Sequence, residues 1–158
     1  VSPRKVVMHR VREIVEKQKE VFSVRHDWTV LDVARYMSER NIGAVAVLDD
    51  KGRVVGMFSE RDLMTRVVAV GQDPRRVRVA EVMSRNVQTA RLDDTLEECM
   101  QKMREHRCRH LPVVENDRLL GMISMRDIIE FQLMDREQQI EFMRAYIAQV
   151  PPGFGFSP

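Results

Sequence analysis

Slid against itself, the chain matches at an offset of 66 residues: TVLDVARYM (29–37) falls on TLEECMQKM (95–103), and AVAVLDD (44–50) falls on HLPVVEN (110–116). After a one-residue deletion at Gly52 the offset becomes 65, and VGMFSERDL (55–63) falls on LGMISMRDI (120–128). This duplication limits the fold more than any other feature, because each copy must be one supersecondary unit. A unit of about 60 residues buries only enough surface to be marginal by itself. Two copies therefore pack on each other, which leaves a cleft between equivalent halves.

Each copy reads as strand, helix, strand, strand, helix, an α/β (α+β) pattern. Val30, Val33, Ala34 and Met37 recur at helical spacing, as do Leu96, Cys99, Met100 and Met103. Thr29 with Asp32, and Thr95 with Glu98, have the spacing of a capping box at each helix start. The β-branched runs AVAVL and LPVV, joined by the polar turns DDKG and ENDR to RVVGMF and RLLGMI, predict two hairpins.

The chain divides into an N-terminal arm or short helix (1–20), a first repeat (21–72), a connector with the second repeat (73–133), and a helical extension with a loose tail (134–158). Gly71 and Pro74 stop the helix before them, and the connector as far as Val87 is expected to have some extended character. In the extension, Ile129, Leu133, Ile140, Met143, Ile147 and Val150 form an imperfect apolar stripe that Pro151 and Pro152 end. No apolar run has the roughly 18 residues of a membrane span, and residues 1–20 lack a signal-peptide core. A cytoplasmic protein without membrane attachment is expected. Two cysteines in 158 residues argue for reduced thiols.

The motif S-x-R-D occurs at Ser59–Asp62 and again at Ser124–Asp127. One reading is a helix cap, in which Ser accepts a backbone N–H and Asp answers it. The other is half of an anion site: a helix start attracts phosphate, Asp accepts ribose hydroxyls and the adjacent Arg meets phosphate. Gly56 and Gly121 upstream are expected to let a ligand approach the backbone closely.

Two Thr-capped repeats with G-h-h-S-x-x-D before a closing helix, together with VAEVMSRNVQTA and RHLPVVENDRLLGMISMRDII, resemble a pair of cystathionine β-synthase (CBS) domains, the Bateman module, from about Val7 to Leu133. The resemblance implies a regulatory module with pseudo-twofold symmetry that binds an adenosine nucleotide and is not an enzyme. AMP, ADP, ATP, NAD or NADH, and S-adenosylmethionine all remain open as ligands, and no metal is required. It implies one pocket around Asp127, Ser124 and Arg126 with Val21, Phe22, Ile42, Gly43, Ala44 and Met122. The other pocket surrounds Asp62, Ser59 and Arg61 with Met57, Met83, Asn86, Val87, Gln88 and Cys108. Arg109 and His110 match phosphate-contacting positions and are expected nearer Arg126. A homodimer and a separate, unidentified effector protein are the implied partners.

Other constellations weigh less. His106, Cys108 and His110 would share one face of a strand as zinc ligands, but His106 reads better as a helix end and no fourth ligand is evident. A nucleic-acid patch in PRRVRV is disfavoured by a net charge of only +2. No glycine-rich phosphate loop, serine-hydrolase elbow or HExxH motif points to catalysis. The competing function is a constitutive dimerisation or interaction module that leaves its clefts unused and works through the C-terminal helix.

Overall fold

A computed structural model of the chain describes residues 7–149. It divides into two compact units, one ending at Met125 and the other beginning at Arg126.

In the first unit, α1 (Val11–Val15) precedes β1 (Ser23–Arg25), α2 (Val30–Arg40), β2 (Ala44–Leu48) and β3 (Val54–Ser59). β1 pairs parallel with β2 and β2 antiparallel with β3, giving the sheet order β1-β2-β3. The second repeat supplies α5 (Leu96–His106), β4 (His110–Glu115) and β5 (Arg118–Ser124). β4 and β5 form the second expected hairpin. Its entering strand has shrunk to one parallel bridge, Ala90 with Val113, the counterpart of β1 on β2.

Between Ser59 and the connector the expected helix is only a three-residue turn, α3 (Glu60–Asp62), continued by a π-helix (Leu63–Val68). The wider turn shows in the bond from Ala69 N–H to the Met64 carbonyl, five residues back, at 2.8 Å. The connector has the expected extended character at Arg78 and Ser84, which bridge to Thr29 and Met57, and between them holds the single helical turn α4 (Val79–Val82).

Each short helix completes a repeat. Val79 N–H donates to Trp28 O at 2.9 Å and Val30 N–H to Val77 O at 2.8 Å, so the connector packs on the first repeat. The N-terminal segment serves the second: Val11 N–H donates to Asp94 O and Leu96 N–H to His9 O, both at 3.0 Å. The first core gathers Val24, Val33, Val45, Val47, Phe58, Val67 and Val79. Val11, Leu96, Cys99, Met103, Leu111, Val113 and Ile123 are buried in the second repeat's elements.

Both expected glycine roles change. A methyl group on Gly56 would overlap Met83, and one on Gly121 would lie 3.0 Å from Val15 and 2.9 Å from Gln18. These glycines admit the connector and the N-terminal segment against the strands, not a ligand. Met83, expected to line a pocket, is instead 5% exposed within the core.

In the second unit, α6 (Met125–Gln149) runs well past Leu133 as expected. Its Ile129, Leu133, Met134, Ile140 and Met143 are all exposed. Arg126 pairs with Glu130 at 2.9 Å one turn on. Val150 and the proline stop lie outside the described residues. Among the described residues no helix is long and apolar enough to cross a membrane.

Candidate functional site

Ser59 ends β3 in extended conformation and caps α3. Its N–H and Oγ–H donate to Asp62 Oδ2 at 3.0 and 3.1 Å, and Asp62 N–H returns a bond to Ser59 Oγ at 3.3 Å. The first S-x-R-D is therefore a complete reciprocal cap, which holds the Asp62 carboxylate in one rotamer. Oδ1 is left 3.7 Å from Arg66 Nε. The carboxylate keeps acceptor capacity there, since each oxygen offers about two lone-pair sites.

The second repeat delivers cations to the same place. α5 ends with Arg107 in the left-handed region at φ 53°, and Cys108 N–H turns back to Met103 O at 3.0 Å. Such a helix stop reverses the chain within two residues, and Arg109 and His110 follow it directly into β4. Asn41 does the same after α2, also at φ 53°, leading into Gly43 and Ala44.

A cavity of about 460 Å³ lies between these turns. Ser59, Glu60, Arg61 and Asp62 form one side, His106 to His110 another, and Ser84, Asn86, Val87 and Gln88 a third, with Gly43, Ala44 and Met57 completing it. A volume of about 300–1,000 Å³ is typical of small-molecule sites. Five basic side chains against two carboxylates suit a ligand with an anionic end and a hydroxyl-bearing body.

This grouping differs from the expected one. Gly43, Ala44, Arg109 and His110, assigned to the Asp127 pocket, line the cavity of Asp62. Val21, Phe22, Ile42 and Met122 do not line it. Phe22 packs edge-on against Tyr36 with ring centroids 6.4 Å apart, and Ile42 packs on the first core. Met122 has its backbone taken by the Gln18 carboxamide, which donates to its carbonyl at 2.5 Å and accepts its N–H at 3.3 Å. Ser124 ends β5, and Asp127 stands in the first turn of α6. Glu60, Ser84, His106 and Arg107 were not foreseen as lining residues, His106 having been weighed only as a zinc ligand. Glu60, Ser84 and Arg107 each adjoin a foreseen residue, namely Ser59 and Arg61, Met83, and Cys108. The zinc reading of His106, Cys108 and His110 loses its premise: one ends a helix, one is in a turn and one begins a strand.

The two thiols are free and differ in setting. Burial pushes Cys99 up from 9.0 to about 11, and burial also raises Cys108, which lines the cavity. For Cys99 the associated stability is fully present below the ordinary thiol value and is lost as pH rises through about 11. A thiol reagent at pH 8 is expected to modify only Cys108 in the native chain and both cysteines after denaturation. A ligand in the cavity at ten times its Kd should slow that native reaction about tenfold.

The family model for the CBS domain matches residues 11–69 and 79–133. The chain belongs to the CBS domain family, as a pair of its repeats. It is 33% identical over 105 residues to the protein MK0525 of Methanopyrus kandleri, covering 66% of this chain and 54% of that one. It spans 20–61% of the lengths of three curated relatives that it matches. Among solved structures it is similar to a protein with CBS domains from Burkholderia ambifaria, with TM-score 0.75, 32% identity and coverage of 80% and 95% of the two chains. The CBS domain pair of protein MJ0100 is alike in fold, with TM-score 0.71, 23% identity and coverage of 82% and 99%; it was solved with 5′-methylthioadenosine and S-adenosyl-L-methionine.

Proposed function

We propose that the Asp62 cavity binds an adenosine nucleotide and that the chain is a regulatory, non-catalytic module. One observation carries this reading: a rigidly capped carboxylate, Asp62, shares a cavity with Arg61, His106, Arg107, Arg109 and His110. The carboxylate accepts the ribose diol and the cations meet phosphate. Three arginines against the carboxylates of Glu60 and Asp62 leave a net positive lining, which favours AMP, ADP, ATP or NAD over the sulfonium of S-adenosylmethionine. The ligands held by the MJ0100 pair support the adenosine class for this fold. Ligand contact with both repeats and the connector would bias their arrangement, provided one arrangement binds more tightly.

Thermal-shift and calorimetric titration with AMP, ADP, ATP, NAD, NADH and S-adenosylmethionine tests this. A phosphorylated ligand at 100 times its Kd should add about 2.7 kcal/mol of stability. No response from any member overturns the reading and leaves the interaction module. The exposed apolar residues of α6 favour self-association in either case, and sedimentation should show a homodimer.

A further inference from the structure

We infer that Arg66 is a positioning residue of the Asp62 cavity, joining the ribose-accepting carboxylate to the connector wall beside it. The inference rests on the nucleotide reading and assigns a residue outside the cavity lining. Arg66 lies in the π-helix one turn beyond Asp62, with its Nε 3.7 Å from Asp62 Oδ1. Its Nη1 donates to the carbonyls of Val82 and Met83 at 3.1 and 3.0 Å. Those carbonyls close α4, a helix too short to satisfy them internally. The chain leaves them directly into Ser84, and from Ser84 to Gln88 it builds one side of the cavity. A single planar guanidinium thus lies 3.7 Å from the carboxylate on one edge and holds the adjoining wall by hydrogen bonds on another.

The duplication shows that this clamp is not a generic part of the repeat. At the offset of 65 the counterpart of Arg66 is Phe131. In the second repeat the N-terminal segment is tied instead through Gln18 to the Met122 backbone. The Ser84–Met57 backbone bridge, at 2.8 and 2.9 Å, fastens the wall to β3 but makes no contact with Asp62. Arg66 is what relates wall and carboxylate to each other. Without it, the ligand must order both when it binds, and affinity falls.

The test is calorimetry with AMP, ADP and ATP on the parent chain, Arg66→Gln, Arg66→Lys and Val67→Ala. Val67 is fully buried beside Arg66, so its truncation lowers stability without touching the clamp. Arg66→Gln should weaken binding about tenfold, the loss of one or two hydrogen bonds. Arg66→Lys, whose single ammonium cannot span both contacts, should fall between parent and Gln, and decides the matter if Arg66→Gln does not fold. Val67→Ala should lower Tm and leave Kd within about twofold, because the Arg66 side chain and its contacts to Asp62, Val82 and Met83 are all retained. Parent-like affinity in the folded Arg66 variants overturns the inference, as does a Val67→Ala loss equal to that of Arg66→Gln. A parent chain that binds neither these three nor NAD or NADH overturns the nucleotide reading itself; where NAD or NADH alone binds, the same variants are read with that ligand.

Discussion

Phe58→Ala is expected to remove about 3–5 kcal/mol of folding stability, the usual cost of truncating a buried aromatic side chain. Phe58 is 1% exposed, lies opposite Val45 across the β2–β3 pair, and stands in the core with Val33, Met37, Val67 and Val79. It therefore joins the sheet, α2, the π-helix and α4, so the loss is not confined to one element. Native stabilities of about 5–15 kcal/mol leave little margin for such a loss. Thermal melting should fall by about 10 °C, and urea unfolding should show a lower midpoint. A shift under about 2 °C would contradict the packing described.

Asp62→Ala is expected to separate binding from stability. It deletes the acceptor of the Ser59 N–H and hydroxyl, a capping loss of about 1 kcal/mol. On the ligand side it removes the hydrogen bonds from a ribose diol to a charged group, about 1.5–3 kcal/mol each, so affinity should fall at least about a hundredfold. Melting should drop by only about 3 °C. Calorimetry beside a melting curve reads both, and parent-like affinity in the folded variant would refute the assigned ribose contact.

The elements with local causes were legible in the chain. Both threonines cap, Thr29 Oγ1 accepting from Asp32 N–H at 3.2 Å and Thr95 Oγ1 from Glu98 N–H at 3.1 Å, but the expected box is completed at Thr95, whose N–H donates to Glu98 Oε2 at 2.9 Å, and not at Thr29. The hairpins follow from β-branched runs and polar turns. What depends on how the repeats approach each other was not legible. Residues 59–62 and 106–110 are far apart in sequence, and no periodicity says which turn of one repeat faces which turn of the other. For the same reason Arg109 and His110 were grouped with Arg126, yet they line the cavity of Asp62. The glycines misled because room beside a strand can admit a ligand or a neighbouring side chain, and here Met83 and Val15 occupy it. The π-helix left no sign in the apolar spacing, since Leu63 and Val67 also fit an ordinary helix.

The central claim is tested most directly by a crystal structure of the chain grown with the tightest-binding nucleotide at saturating concentration. The account predicts the ribose hydroxyls on Asp62 and the phosphate among Arg61, Arg107, Arg109 and the two histidines. A nucleotide bound away from these residues, with the Asp62 cavity empty, would contradict it.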